Sequence, residues 1–367
     1  MSNAKPITLS KTTILLVGFF CFYSAMVLVG LKSIIGFDSP DELLYIYFDQ
    51  ANAGLYGLGH RLWGWYTTYT YKWATDLPVL ISLSILFVAL YRFFNVVKVT
   101  YFQIVLMLTI PSILFFSLTY LRDISIMSAV LFVVAGLAKK NRSMSDHLSI
   151  LLGVLWVCVF RSHAGAFVVL SILLSHSRMR GIPFYLFFPL VMACISLAIL
   201  FHESFYLFYK QVVLSVEGVI SNYGLVGFDK QEAGETESAI TFLLNWIPYW
   251  ATYHPLAIDS PMKLVFLYEA FVYFLLVIIS LTYFSSAYYR TDSAYRFSIY
   301  MLLGSFVMAT IESGNATVLR HKLVFVPCLF YLGYMNTKGM RLVIFKRFKR
   351  GFPLKRLSGE GSDGRVS

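Results

Sequence analysis

Apolar runs of about twenty residues recur along this chain, and each is long enough to cross the hydrocarbon core of a bilayer as a helix. Mostly short polar connections separate them. Only 13% of the 367 residues are charged, about half the share found in soluble domains. The runs are too long for barrel strands and lack the strict alternation that a barrel needs. The pattern predicts an all-α, polytopic helical membrane protein.

We expect about ten transmembrane helices in one domain that covers residues 1–337. They lie approximately at residues 12–31, 77–94, 99–119, 121–138, 148–160, 164–175, 182–201, 263–285, 297–311 and 323–335. Two long connections, residues 33–76 and 202–262, are predicted to be large extracytoplasmic loops. Residues 338–367 are predicted to form a basic, disordered cytoplasmic tail.

Charge predicts the orientation of the chain. The short loops around Arg92, Lys139 and Arg290 are basic, and the tail holds nine lysines and arginines against two acidic residues. Both features are typical of the cytoplasmic side, whereas the two long loops carry more acidic than basic residues. We therefore expect both termini in the cytoplasm. The net charge of +11 then reflects topology and contact with anionic lipid, not nucleic-acid binding.

Residues 147–176 leave two topologies open. They form either one tilted span that buries Arg161, or two short spans with Arg161-Ser162-His163 at their turn. A single span would move the basic tail outside, so the charge rule favours the hairpin. An ionisable residue inside a membrane segment indicates a functional site. The alternative for Arg161 is a structural role, as the partner of a backbone carbonyl or of an acidic side chain such as Glu269.

This topology collects three polar groups at the outer face, because each lies at the end of a predicted span. Arginine forks match the oxygens of phosphate, so Arg122, Arg161 and Arg320 are predicted to bind a pyrophosphate. Asn315 follows Gly314 in a predicted turn whose backbone N–H groups could approach the same anion. Arg122 could instead extend to the lipid headgroups, and for Asp123 we favour a helix-capping role.

Candidate proton acceptors come from the same groups and are His163, His321 and Glu312. Arg320 and Lys322 would project about 200° apart on a helix. We therefore assign Arg320 and His321 to the site and Lys322 to the headgroups. A second place for a base is the acidic stretch of the first loop, which holds Asp38, Asp41 and Glu42, although we favour an ordinary solvated loop there.

Other functional classes lack their motifs in the sequence. No histidine and carboxylate cluster has metal-ligand spacing, and no Walker A, dinucleotide-binding or nucleophile-elbow pattern is present. We expect neither a metal nor another cofactor. The aromatic residues of the outer loops, such as Trp63 and Trp246, are best interpreted as a membrane-interface belt, with a sugar-stacking surface as the alternative.

Three motifs resemble the Wzy and EpsG group of bacterial O-antigen and exopolysaccharide polymerases. They are Tyr120-Leu121-Arg122-Asp123, Arg161 between two short spans, and Gly314-Asn315-Ala316-Thr317-Val318-Leu319-Arg320-His321-Lys322. The family's last motif is often similar to G-N-x-x-x-x-R-H-R, and here Lys322 replaces the final arginine. The resemblance implies a GT-C-like fold and transfer of repeat units between undecaprenyl-pyrophosphate carriers at the outer face of the bacterial inner membrane.

The implied partners are an undecaprenyl-pyrophosphate-linked oligosaccharide, membrane lipid, a chain-length regulator and a flippase. Two other classes stay open. One is an O-antigen ligase or another GT-C-type transferase of lipid-linked sugars. The other is a transporter or acyltransferase of the same pathway, although a transporter would need paired broken helices. The sequence suggests one break, at Arg161.

Overall fold

The computed structural model describes residues 10–31, 42, 45–48, 58–97, 99, 101–176, 261–282, 288, 291–311 and 320–351. Within these ranges the chain is helical and contains no strand, so the predicted all-α class is confirmed. The helices are α1 Lys11–Leu28, α2 Leu58–Trp73, α3 Leu77–Val97, α4 Tyr101–Leu108, α5 Pro111–Ser117, α6 Asp123–Ala138, α7 Met144–Phe160, α8 Ser162–His176, α9 Pro261–Thr282, α10 Ser293–Ile311 and α11 Val326–Gly351.

Helix α6 lies at the centre of the bundle. Helices α3 and α7 pack along it, and α5, α10 and α11 contact its other sides. A helix that is buried all round must be apolar on every face. Two polar residues of α6, Ser125 and Ser128, are compatible with this burial. Their hydroxyl groups donate hydrogen bonds to the carbonyl oxygens of Arg122 and Ile124, so no polar side-chain group of these serines is left unpaired. Asp123 is the one charged residue of α6.

Helices α7 and α8 form an antiparallel hairpin, with Arg161 as the residue between them. A Cβ atom on Gly165 of α8 would lie 2.5 Å from the Cα atom of Cys158 in α7, so glycine permits the close approach of the two helices. Of the two topologies that the sequence left open, the structure shows the hairpin.

The far ends of this hairpin both meet the start of α10. Arg142, just before α7, donates a hydrogen bond to Ser293, and Arg296 donates to the carbonyl oxygen of Ser175 near the end of α8. Arg142 and Arg296, which belong to basic loops predicted to face the cytoplasm, therefore lie at the same end of the bundle. The Arg161 turn lies at the other end of the bundle.

Charged groups collect at both ends of α6. At its C-terminal end, Arg92 and Lys139 pair with Asp146 over 2.6 and 2.9 Å. At its N-terminal end, guanidinium groups surround Asp123. A helix of 16 residues is about 24 Å long. The described part of the bundle thus has two polar layers that an apolar layer separates.

Two predicted boundaries differ from the structure near residue 110 and in the first outer loop. The span expected at residues 99–119 is divided into α4 and α5, because Pro111 lacks the N–H group that a continuous helix needs.

Helix α2 lies within the connection expected to be a loop. Its buried residues Gly59, Trp63 and Thr67 repeat at a spacing of four, which is the helical pattern that the aromatic composition obscured.

The basic tail begins as helix. Helix α11 continues to Gly351, so residues 338–351 are helical in the structure, in contrast to the disorder expected from residue 338 onward. Lysine, arginine, leucine and methionine are good helix formers, and they extend the helix past the apolar run. The predicted span at 182–201 and the second outer loop up to residue 260 lie outside the described residues.

Two of the described helices, α1 and α3, are long and apolar enough to cross a membrane. Helices α6 and α7 and segments of α8 and α9 are shorter apolar helices. Large apolar side chains are exposed on several of the described helices. They include Ile14, Val17, Phe22 and Leu28 on α1, Val88 and Tyr91 on α3, Leu148, Leu151, Leu152 and Leu155 on α7, Leu170 and Leu173 on α8, and Phe271, Phe274 and Leu275 on α9.

Candidate anion-binding site

Asp123 binds two arginines from distant parts of the chain. Its Oδ1 atom lies 2.5 Å from Nη2 of Arg161, and its Oδ2 atom lies 3.0 Å from Nε of Arg320. The Asp123 side chain is 0% exposed. The favoured prediction of a helix-capping role is therefore incomplete. Asp123 does occupy the first turn of α6, but its carboxylate neutralises guanidinium charge that the folded chain brings to it.

Arg161 reaches Asp123 because the turn between α7 and α8 points it at the start of α6. Besides this ion pair, Nη1 of Arg161 makes a long contact of 3.5 Å with the carbonyl oxygen of Arg320. Its buried Nε atom has no hydrogen-bond partner among the residues that the structure describes. Arg161 therefore makes an ion pair of the kind that the structural alternative proposed, but its acidic partner is Asp123, and the suggestion of Glu269 is wrong.

Arg122 faces a histidine that the sequence interpretation missed. Its Nη1 and Nη2 atoms lie 3.1 Å from Nδ1 and 3.0 Å from Nε2 of His60, respectively. A neutral imidazole has one acceptor nitrogen, so at most one of these contacts is a hydrogen bond that Arg122 donates. The Nε atom of Arg122 is also buried without a partner in the described part of the chain. Arg122 therefore retains donors for a ligand.

His60 lies at the start of α2, outside the predicted membrane spans. The ring of Tyr45 stacks on it, with the ring centroids 6.1 Å apart and 22° between the planes. Burial lowers the pKa of His60 to about 3, and the charges of Arg122, Arg161 and Arg320 act in the same direction, opposed by Asp123. His60 is therefore neutral at neutral pH.

Tight packing of α2 against the end of α7 places His60 at the site. Gly59 lies directly on the backbone of Val159 and Phe160, where a Cβ atom would overlap the Val159 carbonyl oxygen. One turn later, Nε1 of Trp63 donates a hydrogen bond of 2.7 Å to the carbonyl oxygen of Tyr120. These contacts hold the start of α2 beside both Arg122 and Arg161.

Glu42 supports the same region from the first connection. Its Oε1 atom accepts a hydrogen bond of 2.8 Å from the backbone N–H of Tyr120, two residues before Arg122. Glu42 is buried, so the favoured expectation of a solvated acidic loop is wrong for this residue. Asp38 and Asp41 lie outside the described residues.

The site carries an excess of positive charge. Among its described side chains, Arg122, Arg161 and Arg320 face a single carboxylate, that of Asp123, while His60 is neutral. Buried charge that has no counterion is costly. The buried Nε atoms of Arg122 and Arg161 also have no partner among the described groups. An anion that binds here would supply both the missing charge and the missing acceptors.

Known proteins offer no direct guide to this site. No family model, no curated protein and no solved structure matches the chain. The described residues also contain no group of three or more histidine, cysteine, aspartate or glutamate side chains that could hold a metal ion. What the site can bind must therefore be inferred from its own geometry and charge.

The remaining predicted site residues are only partly described. His321 follows Arg320 directly, is half-buried, and lies close enough to Asp123 for their charges to interact. His163 belongs to the first turn of α8, and its side chain is outside the described residues. Glu312 and Asn315 also lie outside the described residues. Their predicted roles as proton acceptor and phosphate ligand stay predictions.

Lys322 does not extend to lipid headgroups as expected. Its Nζ atom lies 2.9 Å from Oε1 of Glu269, and the two side chains are 0% and 1% exposed. Tyr273 covers the ammonium group, with Nζ 4.8 Å from the ring centroid. The backbone N–H of Ser112 donates a hydrogen bond of 2.7 Å to the other oxygen of Glu269. The helical angle correctly separated Lys322 from Arg320, but Lys322 faces α9 and α5 instead of lipid.

Proposed function

We propose that the protein is a multi-pass membrane enzyme that polymerises undecaprenyl-pyrophosphate-linked oligosaccharide repeat units at the outer face of a bacterial inner membrane. The observation that carries the proposal is the gathering of Arg122, Arg161 and Arg320 around one carboxylate. Three sequence-distant elements supply these arginines, and a diphosphate matches their charge and their paired N–H donors. The family resemblance agrees with this choice of ligand.

The distribution of apolar side chains supports a membrane location. Leucine, phenylalanine and valine side chains are exposed on the outer faces of α1, α3, α7, α8 and α9, whereas charged pairs are buried inside the bundle. Exposed apolar surface of this extent is typical of proteins whose solvent is lipid. The two polar layers at the ends of α6 fit the two faces of a thin hydrocarbon core. We propose about ten transmembrane helices in a GT-C-like arrangement.

Alkaline phosphatase fusions test this topology. A fusion after Ala74, at the end of α2, is expected to give high phosphatase activity because that point lies outside the cytoplasm, where the enzyme folds. A fusion after Asn141, between α6 and α7, is expected to give background activity because this basic connection is cytoplasmic. Equal amounts of each fusion must be confirmed by immunoblot. Reversed activities would contradict the proposed orientation.

The proposed mechanism separates leaving-group stabilisation from proton removal. The arginines bind the donor pyrophosphate and neutralise the charge that develops as its bond to the anomeric carbon breaks. A hydroxyl group of the acceptor unit attacks that carbon, and undecaprenyl pyrophosphate leaves. The energy travels with the lipid-linked substrate, so no nucleotide is needed at this face. His163, His321 and Glu312 are the proton acceptors that the sequence suggests.

Substitution of the three arginines tests the function. We expect Arg122→Ala, Arg320→Ala and Arg161→Lys each to lower the polymerisation rate about 100-fold or more, which is typical for loss of one preorganised charged donor. Arg161→Lys keeps a positive charge for Asp123 while it removes the guanidinium fork. The measurement is polymer length and rate with purified protein and lipid-linked repeat units.

The matched control is Arg92→Ala, because Arg92 also pairs with an aspartate but lies at the opposite end of α6. This variant is expected to keep at least half of the wild-type rate per folded molecule. If all three site variants make full-length polymer at the control rate, the assignment of the arginines to the reaction is wrong.

The products distinguish this function from the two alternatives. Loss of a polymerase leaves one repeat unit on the acceptor, whereas loss of a ligase leaves long chains on the lipid carrier.

For a transporter, the break between α4 and α5 is a second interruption beside Arg161. Glu269 already accepts the N–H of Ser112, a buried backbone donor in the first turn of α5 at that break. This break therefore does not present an open backbone donor to a transported solute.

A further inference from the structure

We propose that His60 accepts the proton of the acceptor hydroxyl, and that an anion held by the arginines is what makes His60 basic enough to do so. The inference depends on the proposed function and adds a proton acceptor that the sequence motifs did not indicate. It starts from position, because the two ring nitrogens of His60 lie 3.1 and 3.0 Å from the terminal nitrogens of Arg122. His60 is thus adjacent to the bound diphosphate in the proposed complex.

The charged surroundings of His60 come from every element packed around it. Arg122 and Asp123 begin α6, Arg161 lies between α7 and α8, and Arg320 lies shortly before α11, while Tyr45 stacks on the ring. Burial and the three guanidinium groups lower the pKa of His60 to about 3. Burial persists when a ligand binds, but a diphosphate offsets the guanidinium charges. Ligand binding therefore raises the pKa of His60.

This coupling links the two substrates of the reaction. Without a donor, His60 is a poor base and the acceptor hydroxyl keeps its proton. With a donor bound, the hydroxyl oxygen forms a bond to the anomeric carbon as the bond from that carbon to the phosphate oxygen breaks. The electron pair leaves with undecaprenyl pyrophosphate, and the hydroxyl proton passes to a ring nitrogen of His60. Thermodynamic linkage requires the reverse effect too, so protonation of His60 must strengthen anion binding.

Sulfate binding to the purified protein tests the linkage without any polymerase reaction. Sulfate keeps two negative charges throughout the pH range of the experiment, so only protein groups can change protonation on binding. Because anion binding raises the pKa of His60 from about 3, the affinity for sulfate is expected to rise as the pH falls through the raised pKa toward that value. The increase is at most about tenfold per pH unit for a single coupled proton. His60→Gln and His60→Asn are expected to lose this dependence.

Activity provides the second measurement. A positioned general base contributes about 100-fold or more to the rate. We therefore expect His60→Gln to lower kcat about 100-fold, to change the KM for the donor only a few-fold, and to lose the acidic limb of the kcat profile. A residue that merely supported Arg122 would instead raise the donor KM and leave the pH profile in place. Thermal unfolding of both variants confirms that the fold is retained.

The possible failures are distinguishable. If the pH dependence of sulfate binding persists in both His60 variants and disappears in His321→Gln, the proton acceptor is not His60. If wild-type sulfate affinity is independent of pH, the coupling is absent and the inference is wrong. If sulfate and pyrophosphate do not bind at any pH, the anion site of the proposed function fails, and the inference fails with it.

Discussion

Asp123→Asn is expected to abolish polymerisation and to lower the free energy of unfolding by about 3–5 kcal/mol, the usual cost of leaving buried charge without its partner. The asparagine preserves the size of the side chain and its position in the first turn of α6. It removes the only described carboxylate that contacts Arg161 and Arg320. Thermal or denaturant unfolding in detergent, together with the amount of protein in the membrane, measures the effect.

Asp146→Asn is the matched control because Asp146 also binds two cations in the polar layer at the other end of α6. Its partners Arg92 and Lys139 are 24% and 40% exposed, so water can solvate them after the substitution. We expect a loss of about 1–2 kcal/mol, mainly from the capping box that Asp146 completes with Ser143, and retained polymerisation. Equal losses in the two variants would contradict the special role of Asp123.

Sulfate gives this prediction a second, more specific outcome. If the cluster binds anions, sulfate replaces part of the charge that Asp123→Asn removes. A ligand that binds only the folded state raises the free energy of unfolding by RT ln(1 + L/Kd), where L is the free ligand concentration, so tighter binding gives a larger increase. Sulfate should therefore raise the unfolding temperature more for Asp123→Asn than for the wild type, and for Asp146→Asn only as much as for the wild type, because that variant keeps the arginine cluster unchanged. The same shift in all three proteins would indicate a general salt effect.

The sequence identified the three arginines that the fold brings together, but not the acidic and neutral residues that they contact. Arg122, Arg161 and Arg320 stand out because a charged residue next to a long apolar run is costly wherever the run enters a membrane. The hairpin at Arg161 followed from the positive-inside rule. All these signals are local or depend on counts of charge, so one sequence is enough to show them.

Pairings across the bundle could not be predicted in this way. Asp123 and Arg320 are 197 residues apart, and no periodicity specifies which acid meets which base. Glu269 was suggested as a partner of Arg161, but the cation that it meets is Lys322. His60 was missed because the many aromatic residues of 58–73 suggested a surface loop. Gly59, four residues before Trp63 and on the same helical face, was the available signal for a closely packed helix.

The buried Lys322–Glu269 pair leads to the second large prediction. Lys322→Met and Glu269→Gln are each expected to lower the free energy of unfolding by about 3–5 kcal/mol, because each leaves one fully buried charge without its counterion. The double variant removes both charges. Its glutamine oxygen can still accept the N–H of Ser112, so that donor stays paired, while the glutamine NH2 group takes the place of the oxygen that faced Lys322. We expect the double variant to recover most of the loss and to lie within about 1–2 kcal/mol of the wild type.

The same double variant shows whether Lys322 belongs to the anion site. In the resembling family the last motif ends in arginine, which suggests three basic residues with a shared role. In this chain Arg320 faces Asp123, whereas Lys322 lies under Tyr273 and faces Glu269. Lys322→Met/Glu269→Gln should therefore be folded and active in polymerisation, although Arg320→Ala, two residues away, is inactive. A double variant that is stable but inactive would mean that Lys322 contributes its charge to the substrate, and the site would then extend to α9.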